Sequence, residues 1–369
     1  MRFITADYLY PLHMPPIKKG VLQISDKGEV ISIFKDRKLI EYNKLEIFEG
    51  FLCPGFVNAH CHLELSHLNG IAKKGKGLLD FISVIQTRNN FDINDILTSI
   101  ENAEQQMKKN GIVAVGDICN TSDTIHQKQK GNLQYYNFVE VFGVQDIDMN
   151  QIIIAAKDLR NQFRISGLKS TITPHATYSV PKKLMEEIAK VFDEQDELLT
   201  IHIQETIEEN NLFENKYGEL FCWLKKINAS STIWQGRKKA VDVLNALANK
   251  KVLLVHNTFA TKEDIVSQYY CTCPKANLYI EKALPDYSIF DVDKLCVGTD
   301  SLASNSSLSI LEELKIIKES SNFDLNTLLK IASKNGAEAL GFANLGTFEK
   351  GKTPGVNLIS SLDEIKIIA

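Results

Sequence analysis

Histidine is scarce in the chain, which makes its placement informative. There are eight: His13, His60, His62, His67, His126, His175, His202 and His256. His60, His175, His202 and His256 each fall at the end of a short apolar run of the kind that forms a strand. His62 follows His60 by two residues, and residues i and i+2 of an extended strand face the same side. His60 and His62 therefore present two imidazoles together, while Cys61 faces away. His-x-His alone is a weak metal signal. It becomes strong with a third imidazole, His202, and a carboxylate, Asp300, at the ends of later strands. Three neutral nitrogens and one oxygen suit a single divalent ion, zinc first and iron second, with a position left for water. The competing reading of Asp300 is a helix N-cap beside Ser301.

Coordination brings the pKa of water to roughly 7, so an attacking hydroxide becomes accessible, but it still needs a proton shuttle. Glu205, just past the strand that ends near His202, is placed to take the proton from water and deliver it to a ring nitrogen or leaving amine. Its plainer reading is a carboxylate favoured by a helix N-terminus. His256 is placed to orient the hydroxide or polarise the scissile carbon; the alternative is a core histidine bonded to backbone. The expected catalytic groups are thus Glu205, His256 and Asp300, the last doubling as a ligand.

These groups need a scaffold that gathers strand ends. Between Gly55 and about residue 340, apolar runs alternate with longer amphipathic stretches. Expected strands are Phe56 to His60, Ile112 to Asp117, Tyr136 to Val141, Leu168 to Thr173, Leu198 to Ile203, Val252 to His256, Gln268 to Cys273 and Leu295 to Thr299. Helical patterns include Ile93 to Asn110, Lys182 to Asp193, Ala240 to Asn249 and Leu308 to Ser320. Eight successive strand–helix units predict an α/β fold, a closed (β/α)8 TIM barrel with its chemistry at the strand C-termini. A doubly wound open sheet is the rival. Residues 1–50 read as short strands, among them Val21 to Ile24, Val30 to Phe34 and Leu45 to Phe48. The end of the chain returns to β character at Val356 to Ile359 and Ile365 to Ile368. Chain ends commonly lie near each other. The expected division is a small β-sandwich from 1–50 plus 345–369, and a barrel hydrolase domain over 51–344.

The bulk numbers narrow the function classes. The 369 residues are 44% hydrophobic and 24% charged, an ordinary globular composition. A net charge of -4 offers no basic field for nucleic acid. Seven scattered cysteines, an odd number, read as reduced thiols rather than a disulfide framework. Cys271 and Cys273 read as buried structural thiols. No apolar run approaches the ~20 residues needed to span a bilayer, and the first residues lack a signal-peptide core. The expectation is a cytoplasmic enzyme with a small-molecule substrate and neither nucleic-acid nor membrane partner. A homodimer is the base-rate expectation for its assembly.

Longer motifs carry a resemblance. Pro54-Gly55-Phe56-Val57-Asn58-Ala59-His60-Cys61-His62-Leu63-Glu64 resembles the first-strand signature of the amidohydrolase superfamily. Thr173-Pro174-His175-Ala176-Thr177-Tyr178-Ser179-Val180 and His202-Ile203-Gln204-Glu205-Thr206 resemble the branch containing S-adenosylhomocysteine and aminodeoxyfutalosine deaminases and triazine chlorohydrolases. Val255-His256-Asn257-Thr258, Cys273-Pro274-Lys275-Ala276-Asn277-Leu278 and Gly298-Thr299-Asp300-Ser301-Leu302-Ala303-Ser304-Asn305 extend it over the later strands. The resemblance implies His60, His62, His202 and Asp300 as ligands, Glu205 as shuttle and His256 as partner of the attacking water. It also implies that His175 touches a ribose or carboxylate group of the substrate. No lysine occupies the strand-4 end where binuclear members bridge two metals, which favours one ion.

Two further residues are candidate substrate contacts. Glu64, in Leu63-Glu64-Leu65-Ser66, either reads a substrate donor or pairs locally. Arg88, beyond a segment from Gly77 that is expected to cover the pocket, either grips a substrate carboxylate bidentately or is a solvated helix residue. The function implied is hydrolytic deamination of an adenine nucleoside derivative: S-adenosylhomocysteine, methylthioadenosine or aminodeoxyfutalosine, with the Leu63–Ser66 form tilting toward the last. The alternatives are cleavage of a cyclic amide or loss of another ring leaving group at the same site, and, more remotely, a non-catalytic barrel scaffold.

Overall fold

A computed structural model describes residues 1–145, 149–192, 198–247, 250–361 and 364–369. Eight parallel strands form the barrel: β1 (Phe56–Cys61), β2 (Ile112–Cys119), β3 (Gln134–Val141), β4 (Ser170–Pro174), β5 (Leu199–Ile203), β6 (Val252–His256), β7 (Tyr269–Thr272) and β8 (Leu295–Val297). They fall into two four-stranded runs, β1 to β4 and β5 to β8, each in sequence order. The runs meet at two parallel bridges, Ala176 with His202 and Cys61 with Asp300, which close the barrel. The rival open sheet is excluded by this closure.

Strands buried on both faces read as continuous apolar runs, and β6 shows why. Val252 and Leu254 pack into one hydrophobic cluster, whereas Leu253 and Val255 pack into another. On β5, Leu199, Ile201 and Ile203 join the first cluster, leaving Thr200 and His202 on the opposite face. Helices Ile93–Lys109, Met149–Ile165, Lys182–Val191 and Ile310–Ser320 lie between barrel strands or follow them and bury one stripe each. The first begins at Asp92, whose carboxylate accepts from the amide of Asn94 at 2.8 Å.

One expected helix differs. Ala240–Leu247 is 3-10 rather than α-helical. Its buried residues, Ala240, Val243 and Leu247, are spaced by three and four, a pattern that a 3.0 period satisfies nearly as well as 3.6. The expected helix ends Asp193 and Asn249 lie outside the described residues.

The chain ends build two further sheets. One orders Val30–Phe34, Val21–Ile24, Arg2–Thr5 and Leu45–Ile47. The other orders Glu364–Ile367, Val356–Ser361, Phe51–Pro54, Tyr8–Leu9 and Ile17–Lys18. They share one apolar core, with Ile4, Leu22, Ile24 and Val30 from the first sheet and Leu9, Leu52, Val356 and Leu358 from the second. This is the small β-sandwich expected from both termini. Six of the seven cysteines, Cys271 and Cys273 among them, are buried free thiols. No helix among the described residues is long and apolar enough to cross a membrane.

Candidate metal centre and active site

The barrel brings His60, His62 and His202 together although 140 residues separate the last two. The Nε2 atoms of His60 and His62 are 3.1 Å apart, and each lies 3.2 Å from Nε2 of His202. His60 is 1% exposed, His62 9% and His202 5%. The Nδ1 of His202 donates to the backbone oxygen of His175 at 2.7 Å. A carbonyl only accepts, so the proton sits on Nδ1 and the Nε2 lone pair points into the cluster. Burial holds His60 and His202 well below the usual histidine pKa, and neighbouring imidazoles push the same way. Neutral rings whose lone pairs converge at this spacing repel one another unless a cation lies among them. The three form a group fit for a metal ion, and their chemistry suits zinc.

Asp300 stands beside them. Its Oδ1 is 3.4 Å from Nε2 of His62 and 3.8 Å from Nε2 of His60. No helix starts at Ser301; Asp300 instead accepts from Ser304 Oγ at 2.6 Å through its other oxygen. The approach of β8 to β1 explains Gly298. A Cβ there would lie 2.7 Å from the oxygen of His60, closer than such contacts allow. Thr299 is held in turn by Asn58, whose Oδ1 accepts from its amide at 3.0 Å.

On the next side of the mouth, Glu205 Oε2 faces His256 Nε2 at 3.7 Å. Tyr178 donates its hydroxyl to Glu205 Oε1, which fixes that oxygen and leaves Oε2 toward His256. Burial pushes the Tyr178 phenol well up, and the Glu205 charge adds to it. The amide of Glu205 donates to Glu209 Oε2 at 3.2 Å. Glu209 also accepts from Thr177, and burial raises it to about 8. His256 Nδ1 is 2.8 Å from Asn277 Oδ1. His256 and Asp300 both adopt left-handed backbone, with φ of 74° and 56°. Such strain in non-glycine residues gathers where side chains must be aimed.

His175 follows β4, with its ring 4.9 Å from that of His202 and Nδ1 2.6 Å from Ser179 Oγ. Burial lowers its pKa to about 4, against an opposing pull from Glu205. Glu64 and Arg88 lie on the other flank. Glu64 is buried, and its Oε2 accepts from the amides of Asn120 and Thr121 at 2.9 and 3.0 Å. Burial raises its pKa to about 7, partly offset by those bonds. Arg88 is half-buried in a 3-10 turn, and its Nη1 donates to Asn120 Oδ1 at 2.9 Å. Tyr178, Asn120 and Glu140 are polar residues of this mouth for which the sequence alone suggested no role. Glu140 had one available signal, a charge inside the apolar run of β3.

A model of the amidohydrolase family matches residues 51–366. The chain belongs to this family. An adenosine deaminase of Helicobacter pylori is 27% identical over 324 residues, covering 84% of this chain and 79% of its own. A 5-methylthioadenosine/S-adenosylhomocysteine deaminase of Bacillus cereus is 25% identical over 384 residues, covering 91% and 82%. Among solved structures, Helicobacter pylori aminofutalosine deaminase with methylthio-coformycin superposes with a TM-score of 0.85 at 24% identity, covering 100% of this chain and 97% of that one. A Xanthomonas campestris adenosine deaminase with bound zinc gives 0.74 at 19%, covering 97% and 84%. This amidohydrolase is therefore a hydrolase of carbon–nitrogen bonds, related to adenine-nucleoside deaminases at about one-quarter identity.

Proposed function

We propose that this amidohydrolase deaminates an adenine nucleoside derivative by hydrolysis at one divalent ion, zinc before iron. The observation that carries the reading is the convergence of three buried Nε2 atoms within 3.2 Å, with a Glu205 oxygen facing His256 at 3.7 Å. His60, His62, His202 and Asp300 are the ligands in this reading. When bound, the ion supplies Lewis acidity that brings the pKa of water to roughly 7.

The chain's own groups handle the protons. Glu205 takes one from water at Oε2 and gives it to the ring nitrogen next to the amine-bearing carbon. The water oxygen bonds to that carbon. A second proton passes through Glu205 to the amine, the carbon–nitrogen bond breaks, and ammonia leaves with both electrons of that bond. Tyr178 keeps Glu205 aimed throughout. His256 holds the attacking water from the other side, its Nδ1 occupied by Asn277 so that Nε2 faces the reaction. His175, Glu64 and Arg88 are read as contacts to the substrate's non-reacting part.

Aminodeoxyfutalosine, S-adenosylhomocysteine and methylthioadenosine are the candidate substrates, the first favoured by the Leu63–Ser66 form. Incubating the zinc-loaded enzyme with each should release one ammonia and raise the product mass by about one unit. Silence on all three refutes the nucleoside reading. A mass gain of one whole water, without ammonia, would point to opening of a cyclic amide instead.

A further inference from the structure

Glu140 is the penultimate residue of β3, so its carboxylate opens onto the same mouth as the histidines. Its Oε2 accepts from Asn120 Nδ2 at 3.2 Å. Among the described residues its Oε1 has no hydrogen-bond partner, although the side chain is only 3% exposed. A buried carboxylate oxygen without a donor is rare and calls for an explanation. His202 Nδ1, 3.6 Å away, does not provide one, because its proton is committed to the His175 carbonyl at 2.7 Å. The same commitment removes His202 Nδ1 as a ligand to a second cation among Glu140, His175 and His202, whose ligand atoms lie within 4.8 Å of one another. A protonated Nδ1 has no lone pair to give.

Asn120 is the brace. It donates to Glu140, accepts from Arg88, and offers its amide to Glu64. Glu140 is thereby held by a polar network while one oxygen is left bare beside His175. Burial raises both the Glu140 and the Glu64 carboxyls, and Arg88 is among the groups that pull both back down, so the acceptor need not be satisfied by a cationic ligand. A neutral hydroxyl suffices.

We propose that Glu140 Oε1 accepts a hydrogen bond from a sugar hydroxyl of the substrate, making Glu140 a specificity-determining residue. This rests on the adenine-nucleoside reading above. The test compares adenosine with 2′-deoxyadenosine and 3′-deoxyadenosine, using wild type, Glu140→Ala and Glu140→Gln, with zinc content and melting temperature measured for each. Bonds to charged groups are worth roughly a 10- to 100-fold change. Wild type should lose that factor in kcat/KM on one of the two deoxy nucleosides. Glu140→Ala should lose a similar factor on adenosine and nothing further on that same nucleoside. Glu140→Gln, which keeps an acceptor oxygen, should fall between. Equal losses of Glu140→Ala on all three nucleosides, or no loss on adenosine, would overturn the assignment while leaving the deaminase reading intact. If wild type releases ammonia from none of these three and from none of the candidate substrates above, the nucleoside reading fails and the sugar assignment falls with it; if it acts on a candidate substrate and Glu140→Ala leaves that turnover unchanged, the sugar assignment alone falls.

Discussion

Lys128→Met should be among the most damaging single changes outside the site. Lys128 and Asp117 are both 0% exposed, with Nζ 2.5 Å from Asp117 Oδ2. Nζ also donates to Asn137 Oδ1 at 2.7 Å and lies 3.3 Å from Cys119 Sγ. Burial works against the lysine charge, but Asp117 and Cys119 outweigh it and raise its pKa. At an effective dielectric of about 20, a pair at this distance attracts by about 7 kcal/mol before desolvation is subtracted. Removing one partner leaves the other charge buried and costs about 3–5 kcal/mol. The exposed pair of Lys44 and Glu41, at 2.9 Å with side chains 54% and 68% exposed, is worth about 0.5 kcal/mol or less. The buried pair also reaches the site, since Asp117 Oδ1 accepts from the amide of Leu63 at 2.8 Å, the residue after His62. Zinc retention should therefore weaken by roughly 10-fold or more, as for other groups that support a ligand. Urea melts of the loaded protein, with zinc measured after dialysis, read both effects. Adding Asp117→Asn removes the stranded charge while keeping an acceptor for Leu63, and should recover about half of the lost stability. A single variant within about 1 kcal/mol of wild type, or a double variant no better than the single, would show that Lys128 and Asp117 do not depend on each other.

Stripping the metal with a chelator should lower the melting temperature and abolish turnover, both restored by zinc. Ligand present at 1,000 times its Kd stabilises by about 4 kcal/mol, so identical melts with and without chelator would count against a bound ion. Glu205→Gln should lower kcat roughly 10²- to 10⁴-fold while zinc content stays unchanged; near-wild-type turnover would remove Glu205 from the proton path. Burial raises Glu313 to about 8 from an ordinary 4.5, so the folded state holds a proton that the unfolded chain has released. Stability should therefore fall as pH rises from about 4.5 toward about 8. Between about pH 7 and 8 most unfolded histidine is already neutral, and Glu313→Gln should reduce the slope there, with Glu209 keeping part of it; an unchanged slope in urea melts contradicts the raised Glu313.

What the sequence makes legible follows from physics local to the chain. The barrel strands can be placed to within about two residues because each is a short apolar run bounded by turns or helices. His60 and His62 pair by strand period alone. His202 joins them because barrel strand ends converge, a property of topology rather than of neighbouring residues. By contrast, Tyr8–Leu9 and Ile17–Lys18 are two-residue strands, too short to carry a period. The Asn120 network links residues 64, 88, 120 and 140 through side-chain bonds that no spacing rule encodes. The Lys128 pair looks in the sequence like an ordinary charged helix residue near a strand-end aspartate. Only the packing of Tyr135 and Phe163 around Nζ, at 5.0 and 5.1 Å, reveals that it is buried.

The proposed ligand set and the barrel closure are one arrangement. Within each run of four strands the ladder is continuous, but the two runs join through short bridges. At one seam the amides of Thr299 and Asp300 both donate to the His60 oxygen at 3.1 Å. At the other, the His202 amide donates to the His175 oxygen at 2.9 Å, the same oxygen that takes its Nδ1 proton. His60 and Asp300 therefore belong to one seam and His202 to the other. An ion held by all three would tie the two half-barrels across the mouth, where backbone pairing is thinnest. Such an ion would favour the closed barrel over any splayed arrangement by its affinity for this geometry. The strained backbone of His256 and Asp300 has the same logic. It costs folding free energy, and the packed strands beneath keep those side chains aimed inward.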